Sequence, residues 1–246
     1  MTPQDLQARV LYRDGSILVI DKPAGLAVHP GPSTAESLER YLPALRFGIR
    51  EVPRLVHRLD RDTSGCLVLA RHSRGVSKLG RLFSSAAIKK TYWAIVEGAP
   101  TAPEGIVDRP LKKITRKEGW RMVPDAGGQR AVTRYRVLGA SDGLTWLELS
   151  PETGRTHQLR VHCAAEGFPV LGDPVYGRVE TTRIPLHLHA HSVTIPLGGE
   201  RAPITVTAEP PEHMILMLKA CGYKPLSAAI AGEREGPDRA SERSGG

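Results

Sequence analysis

His57-Arg58-Leu59-Asp60-Arg61-Asp62-Thr63-Ser64-Gly65, followed at once by Cys66-Leu67-Val68-Leu69-Ala70, organises the reading of this 246-residue chain. The apolar run after Gly65 predicts a buried strand. The residues before it crowd three cationic or protonatable groups, two carboxylates and two hydroxyls into a turn at the strand's mouth. Polar side chains held there by a rigid scaffold stay reachable from solvent, which is where chemistry usually sits. The same residues also fit a plain charged turn in which Asp60 and Asp62 cap the backbone. Their types alone leave both readings open.

Upstream, residues 4–12 predict a short helix, and Ile17-Leu18-Val19-Ile20 a buried strand that Asp21-Lys22-Pro23-Ala24-Gly25 breaks. Val28-His29-Pro30-Gly31-Pro32 reads as a stiff loop, because each proline fixes φ and restricts its predecessor. Ser33 or Thr34 would cap a helix over residues 35–42 that Pro43 ends. Downstream, Ser73 would cap a helix whose apolar face is Val76, Leu79, Leu82 and Phe83, with Arg74, Lys78 and Arg81 along one edge. Residues 89–96 alternate as a strand, with Tyr92, Ala94 and Val96 on one face and Thr91, Trp93 and Ile95 on the other. Strands are predicted over 131–138 and 144–150, joined by a turn at 139–143, then over 193–196 and 204–208, with a last helix over 211–221. The Gly/Ser/Glu/Arg composition of residues 225–246 predicts a disordered tail, leaving one domain over residues 1–224.

A second polar cluster runs from Glu152 to His162 (Glu152-Thr153-Gly154-Arg155-Thr156-His157-Gln158-Leu159-Arg160-Val161-His162). Thr156 is the expected cap of a helix ending near Gly167. His157, Arg160, Val161 and Ala164 would share one face of it. An arginine on a half-apolar face needs a partner, naturally a carboxylate, since burying it alone is very costly. Between the clusters, Lys112, Lys113, Arg116, Lys117 and Arg121 surround Gly119-Trp120 as a basic, partly mobile segment suited to a nucleic-acid backbone.

Lys plus Arg number 34 against 26 acids, a formal charge of +8, which favours a polyanionic partner and, first among these, nucleic acid. No apolar run reaches the length of a membrane span and no signal peptide opens the chain, so no membrane partner is expected and the cytoplasm is the expected compartment. Cys66, Cys163 and Cys221 are odd in number and lack CxxC spacing, which fits a reducing environment and argues against a disulfide framework or a zinc site. His187, His189 and His191 alternate on one predicted strand face, yet no acidic or cysteine ligand lies close in sequence. Nucleotide-cofactor motifs are missing. A kinase-like reading of His57-Arg58-Leu59-Asp60 fails because Gly65 stands where a metal-binding Asn is needed. A glycosidase would need Asp60 and Asp62 aimed into one cleft.

Taken together, His57 to Gly65, Lys90-Thr91-Tyr92-Trp93-Ala94 and Gly154 to His162 resemble the RluA-type pseudouridine synthases. Asp21-Lys22-Pro23-Ala24-Gly25 with His29-Pro30, and Gly172-Asp173-Pro174 with Tyr176-Gly177, support the match over about residues 15–210. The resemblance implies an α+β fold: a mixed, mainly antiparallel central sheet with flanking helices and loops, and an active cleft across its middle. It implies an isomerase that converts uridines of ribosomal or transfer RNA, not DNA, to pseudouridine without cofactor or metal. By the same resemblance Asp60 is the catalytic carboxylate, Arg160 its partner and Tyr92 the residue that stacks on uracil. Leu159 presses the ring's other face, and Arg58 fills the space the flipped base leaves. Arg155, His157, Lys112, Lys113 and Arg116 are the further expected RNA contacts.

Too few residues precede the first strand for an S4-type RNA-binding domain, so the short form of the family is expected. Without coiled-coil heptads or a long apolar face, a monomer is expected. The competing readings are a non-catalytic RNA-binding protein on the same scaffold and a metal-dependent hydrolase using His187, His189 and His191.

Overall fold

The apolar run after Gly65 forms the strand Ser64–Ala70, buried at every position. The computed structural model describes residues 1–31, 36–116, 119–199 and 201–225. The expected caps Ser33 and Thr34, the basic Lys117 and the tail beyond residue 225 lie outside the described residues.

In chain order the elements are α1 (Pro3–Gln7), β1 (Val10–Arg13), β2 (Ile17–Lys22), a 3-10 helix (Leu38–Leu45), β3 (Arg54–Leu55), β4 (Ser64–Ala70), α2 (Ser73–Ser84) and β5 (Lys89–Glu97). There follow β6 (Glu104–Asp108), β7 (Leu111–Arg116), β8 (Gly119–Pro124), β9 (Val132–Ser141), β10 (Leu144–Pro151) and α3 (Gln158–Ala165). The last elements are β11 (Leu188–Ile195), β12 (Ile204–Thr207) and α4 (Glu212–Ala220). The sheet runs β1-β2-β4-β11-β5-β10-β9-β6, with β12 beside β11 and β3 beside β4, while β7 and β8 form a separate ribbon. This is the expected α+β class. The described ladders are antiparallel except where β11 meets β4, with His189 opposite Ser64 and Ala190 opposite Gly65.

That parallel junction is the seam of the sheet, and it depends on Gly65. Its φ of +103° is one that side chains avoid, and a Cβ there would overlap the Ala190 carbonyl. Ser64 Oγ closes the seam against His189 Nδ1 at 2.9 Å.

Helices cover the sheet on both sides, so its central strands are apolar at successive positions. Leu18, Ile20, Leu67 and Leu69 face the 3-10 helix through Leu38, Leu42 and Leu45. Ile17, Val19, Cys66 and Val68 point the other way, toward Leu79 of α2. Across the seam, Ala94 and Val96 pack with Leu159 and Cys163 of α3, whereas Ile95 packs with Met214 and Leu218 of α4. Burying a Leu or Val side chain contributes about 1.5–3 kcal/mol, so these layers are what hold both helices to the sheet.

Several local expectations are corrected. Residues 10–12 leave the helix for β1. Pro43 lies inside the 3-10 helix instead of ending a helix, and Ser37 stands at its N-terminus. His72, not Ser73, caps α2, its Nδ1 accepting from the Gly75 N–H at 3.0 Å. The turn expected at 139–143 shrinks to Asp142-Gly143, both at positive φ (50° and 76°), the pattern of a tight two-residue hairpin. The segment expected to be partly mobile is the antiparallel β7–β8 ribbon, with Lys113 opposite Met122.

Candidate active site

A cleft of about 510 Å³ opens beside the seam, where the turn before β4, the middle of β5 and the start of α3 converge. Asp60, Tyr92, Arg160, Arg58, Leu159, Arg155 and His157 all line it. Lys112, Lys113 and Arg116 are exposed on the ribbon and do not line the cleft. The ribbon reaches the site indirectly, because Trp120 of β8 stacks on His157 at 5.2 Å and carries Lys113 Nζ 4.7 Å over its own ring.

Asp60 is placed from below. Lys22, wholly buried at the end of β2, donates from Nζ to the carbonyls of Pro23, Leu26 and Arg61 at 2.8–2.9 Å, tying the Asp60 turn to the loop after β2. Burial pulls its pKa down to about 7 against the opposing pull of the Asp62 and Asp60 carboxylates. On the other side of the turn, His57 Nε2 accepts from the Val68 N–H at 2.8 Å, and the ring stacks on Phe83. Burial drives the His57 pKa down to about 3, in keeping with a neutral ring whose Nε2 accepts from the Val68 N–H. Asp62 is held by Arg61 Nε at 3.0 Å and does not line the cleft, so the two carboxylates do not share it.

Arg160 reaches the cleft from α3. The expected carboxylate partner is present twice. Nη1 stands 3.4 Å from Asp60 Oδ2, while Nε and Nη2 grip Asp173 bidentately at 2.7 and 2.8 Å. The Asp173 pair is the tighter and drier one, with Asp173 fully buried and Arg160 only 5% exposed. Burial alone would raise the Asp173 pKa, but the Arg160 hydrogen bonds and charge, with the Val175 and Tyr176 N–H groups, outweigh it and hold the carboxyl below its ordinary range. Burial likewise works against the Arg160 charge, and the Asp173 bonds reverse it. A charge-assisted fork of this kind fixes a guanidinium in direction as well as in charge. Gly172 makes room for the grip: a Cβ there, at φ +75°, would overlap the backbone of Ile184 and Pro185.

Thr156 does not cap α3. His157 occupies the cap position in the left-handed region (φ 53°, ψ 17°) without a side-chain cap bond. The first turn is tied instead by Gln158, whose Oε1 accepts from the Arg155 N–H at 3.0 Å. A non-glycine residue held there needs its surroundings to fix it. Tyr176 Oη lies 3.0 Å from His157 Nδ1 and accepts from the Met122 N–H at 3.0 Å. The other ring nitrogen, Nε2, stands 3.9 Å from Asp60 Oδ2. Burial lowers the His157 pKa despite the Asp60 charge.

Tyr92, partly buried between the two halves of the sheet, has its phenol pKa pushed up by burial and then by Asp60. Leu159 is 7% exposed, serving both the core beneath and the cleft wall above. Sequence reasoning quoted Lys22, Asp173 and Tyr176 only within matching motifs and gave them no role. The signal for Asp173 was the unpaired Arg160. Lys22 left none, since a lysine is almost never fully buried.

His187, just before β11, and His189 and His191 on it do not assemble a metal centre. His189 Nε2 and His191 Nδ1 both meet the Ala208 carbonyl, and His187 Nδ1 meets that of Pro185. Among the described residues no cluster of His, Cys, Asp or Glu is arranged to hold a metal ion.

A family model described as RNA pseudouridylate synthase matches residues 16–165, the span from β2 through α3. The chain belongs to this family. An RNA pseudouridine synthase of Zymomonas mobilis is 49% identical over 84% of this chain and 95% of its own length. Ribosomal large subunit pseudouridine synthase D of Xanthomonas campestris is 38% identical over 94% of this chain and 75% of its own. Among solved structures, human RNA pseudouridylate synthase domain containing 4 superposes with a TM-score of 0.75 at 28% identity, covering 89% of this chain and 95% of that one. These relatives bear out the RluA-type pseudouridine synthase indicated by the motifs: an isomerase that converts uridine to pseudouridine in RNA.

Proposed function

We propose that this pseudouridine synthase acts on uridines of structured ribosomal or transfer RNA, with Asp60 as its catalytic residue. The single observation behind the assignment is the meeting of Asp60 with Arg160, 100 residues later, in one cleft. Uracil must leave C1′, rotate and rejoin through C5, which a stacked base cannot do. The nucleotide is therefore flipped out at a cost of about a few kcal/mol of unstacking. The Asp60 carboxylate then acts on the sugar, as nucleophile at C1′ or as base on a ribose hydrogen. Arg160, aimed by Asp173, directs that carboxylate through its Nη1 contact.

Tyr92 stacks on one face of the freed uracil and assists proton movement at C5, while Leu159 supplies an apolar second wall that lets the ring turn. Arg58, exposed at the rim, fills the space the base vacates through its flat guanidinium. Arg155, His157, Lys112, Lys113 and Arg116 contact the RNA around the cleft. Relatives named as ribosomal large subunit enzymes support ribosomal RNA as one of the two substrate classes. We place the enzyme in the cytoplasm as a monomer; its three cysteines are free and buried, as a reducing compartment allows. No helix among the described residues is long and apolar enough to cross a membrane.

The test uses unmodified ribosomal and transfer RNA transcribed in vitro. Chemical mapping should find new pseudouridine with the native protein and none with Asp60→Asn, whose RNA affinity should stay within about threefold. Full product yield from Asp60→Asn would remove the catalytic assignment.

A further inference from the structure

Lys90 sits two residues before Tyr92 on β5, so both side chains leave the same face of the strand, and both line the cleft. The lysine is half-buried, and its ammonium borders the bare backbone of Gly154, where a Cβ would stand 3.9 Å from Nζ. Among the described residues Nζ has no hydrogen-bond or carboxylate partner. Burial lowers its pKa with no neighbouring charge acting on it. Asp60, by contrast, acts on Lys22, Tyr92, His157, Arg160 and Tyr176. The charge of Lys90 is therefore not committed to the carboxylate. The other cleft cations differ: Arg160 is committed to Asp173, Arg155 Nε donates to the Arg130 carbonyl at 3.0 Å, and Arg58 is exposed at the rim.

An ammonium drawn partly out of water without a counter-charge costs folding free energy, and an anionic ligand recovers it. RNA supplies one phosphate per nucleotide. We propose that Lys90 is a phosphate-binding residue of the cleft, pairing with a backbone phosphodiester of the strand beside the flipped uridine. The inference rests on the RNA reading above and adds a contact inside the cleft, apart from the exposed ribbon. Its location next to the Tyr92 position means that the phosphate is gripped only when the strand has entered the cleft.

The experiment measures binding of a 12-nucleotide oligouridylate to the full-length chain carrying Asp60→Asn, so that no turnover intervenes. Adding Lys90→Met should weaken binding about tenfold in dilute salt and flatten the log K against log salt slope by about 0.7, the loss of one single-strand phosphate contact. Lys90→Arg should restore both. Unchanged affinity and slope in Lys90→Met would overturn the proposal. Should Lys90→Met not fold, competitive acetylation of the Asp60→Asn protein reads the same contact: oligouridylate should protect Lys90 where uridine does not, and equal labelling with both overturns it. Pseudouridine mapping keeps the two readings apart. A protein active on RNA but indifferent to Lys90→Met loses only the phosphate contact. One that makes no pseudouridine yet shows the Lys90-dependent slope loses only the reaction.

Discussion

The Arg160 cluster and the β7–β8 ribbon both bear on His157, and both are rich in charge, but they hold it in opposite ways. At the base of the cleft, Arg160 and Asp173 are buried, paired twice and fixed in direction. On the ribbon, Lys112, Lys113 and Arg116 stand in solvent, with Lys112 3.7 Å from a half-buried Asp125 and Lys113 resting over an indole. Desolvated charge is expensive and therefore must be exact in geometry, which suits it to chemistry. Solvated charge is cheap, screened by salt and replaceable, which suits it to attracting a polyanion. A buried charge pair in the cleft and a solvated basic ribbon beside it are thus suited to different tasks.

The sharpest way to break the comparison is Asp173→Asn, which leaves Arg160 buried without its main counter-charge. It should cost about 3–5 kcal/mol in urea unfolding. In whatever fraction stays folded, turnover should fall far more than RNA affinity. A variant as stable and active as the native chain would show that the buried pair is dispensable.

Next in size is a pH effect from the seam. His189 is buried beside Ser64, and burial drives its pKa down to about 4 from an ordinary 6.5. The unfolded chain therefore binds a proton that the fold refuses. The stability tied to this group is complete above pH 6.5 and drains away as pH falls toward 4, by roughly 3 kcal/mol at the limit. His189→Gln should flatten the acid limb of the unfolding midpoint against pH. Parallel acid limbs in the two proteins would remove His189 from that account.

The smallest effects belong to the ribbon. Lys113→Ala or Arg116→Ala should each weaken RNA binding less than about tenfold, reduce the salt slope by about 0.7–0.9, and leave single-turnover rates at saturating RNA unchanged. A ribbon variant that slowed the saturated rate instead would show that the Trp120–His157 stack carries catalytic geometry as well as affinity.

How much of this was legible depends on which force decides each element. Two-sided burial writes itself into continuous apolar runs, so β2, β4 and β5 were readable to within a residue or two, and the face shared by Tyr92 and Ala94 followed from period alone. Tertiary ties overrode local chemistry elsewhere. Thr156 had the right type for a cap, but Tyr176 and Met122 hold His157 in that position. His72 displaced Ser73 because an imidazole nitrogen accepts a capping bond as well as a hydroxyl does. The basic residues at 112–121 carried an electrostatic signal that hid the simpler alternation of a hairpin. Lys22 was invisible because three carbonyls from separate loops, none near in composition, create its niche. In the candidate site, Asp60 and Arg160 were named from motif resemblance, and the need for a carboxylate was foreseen physically. Asp173 as the stronger claimant required coordinates.

Gly65 touches Ala190, and so the floor beneath Asp60 is laid by a strand encoded 125 residues downstream of Ser64. During synthesis the ribosome releases the His57–Gly65 turn long before it releases β11, and until then that turn rests on Lys22 and β2 from one side only. The seam beneath Asp60 is therefore completed late, when β11 slots between β4 and β5.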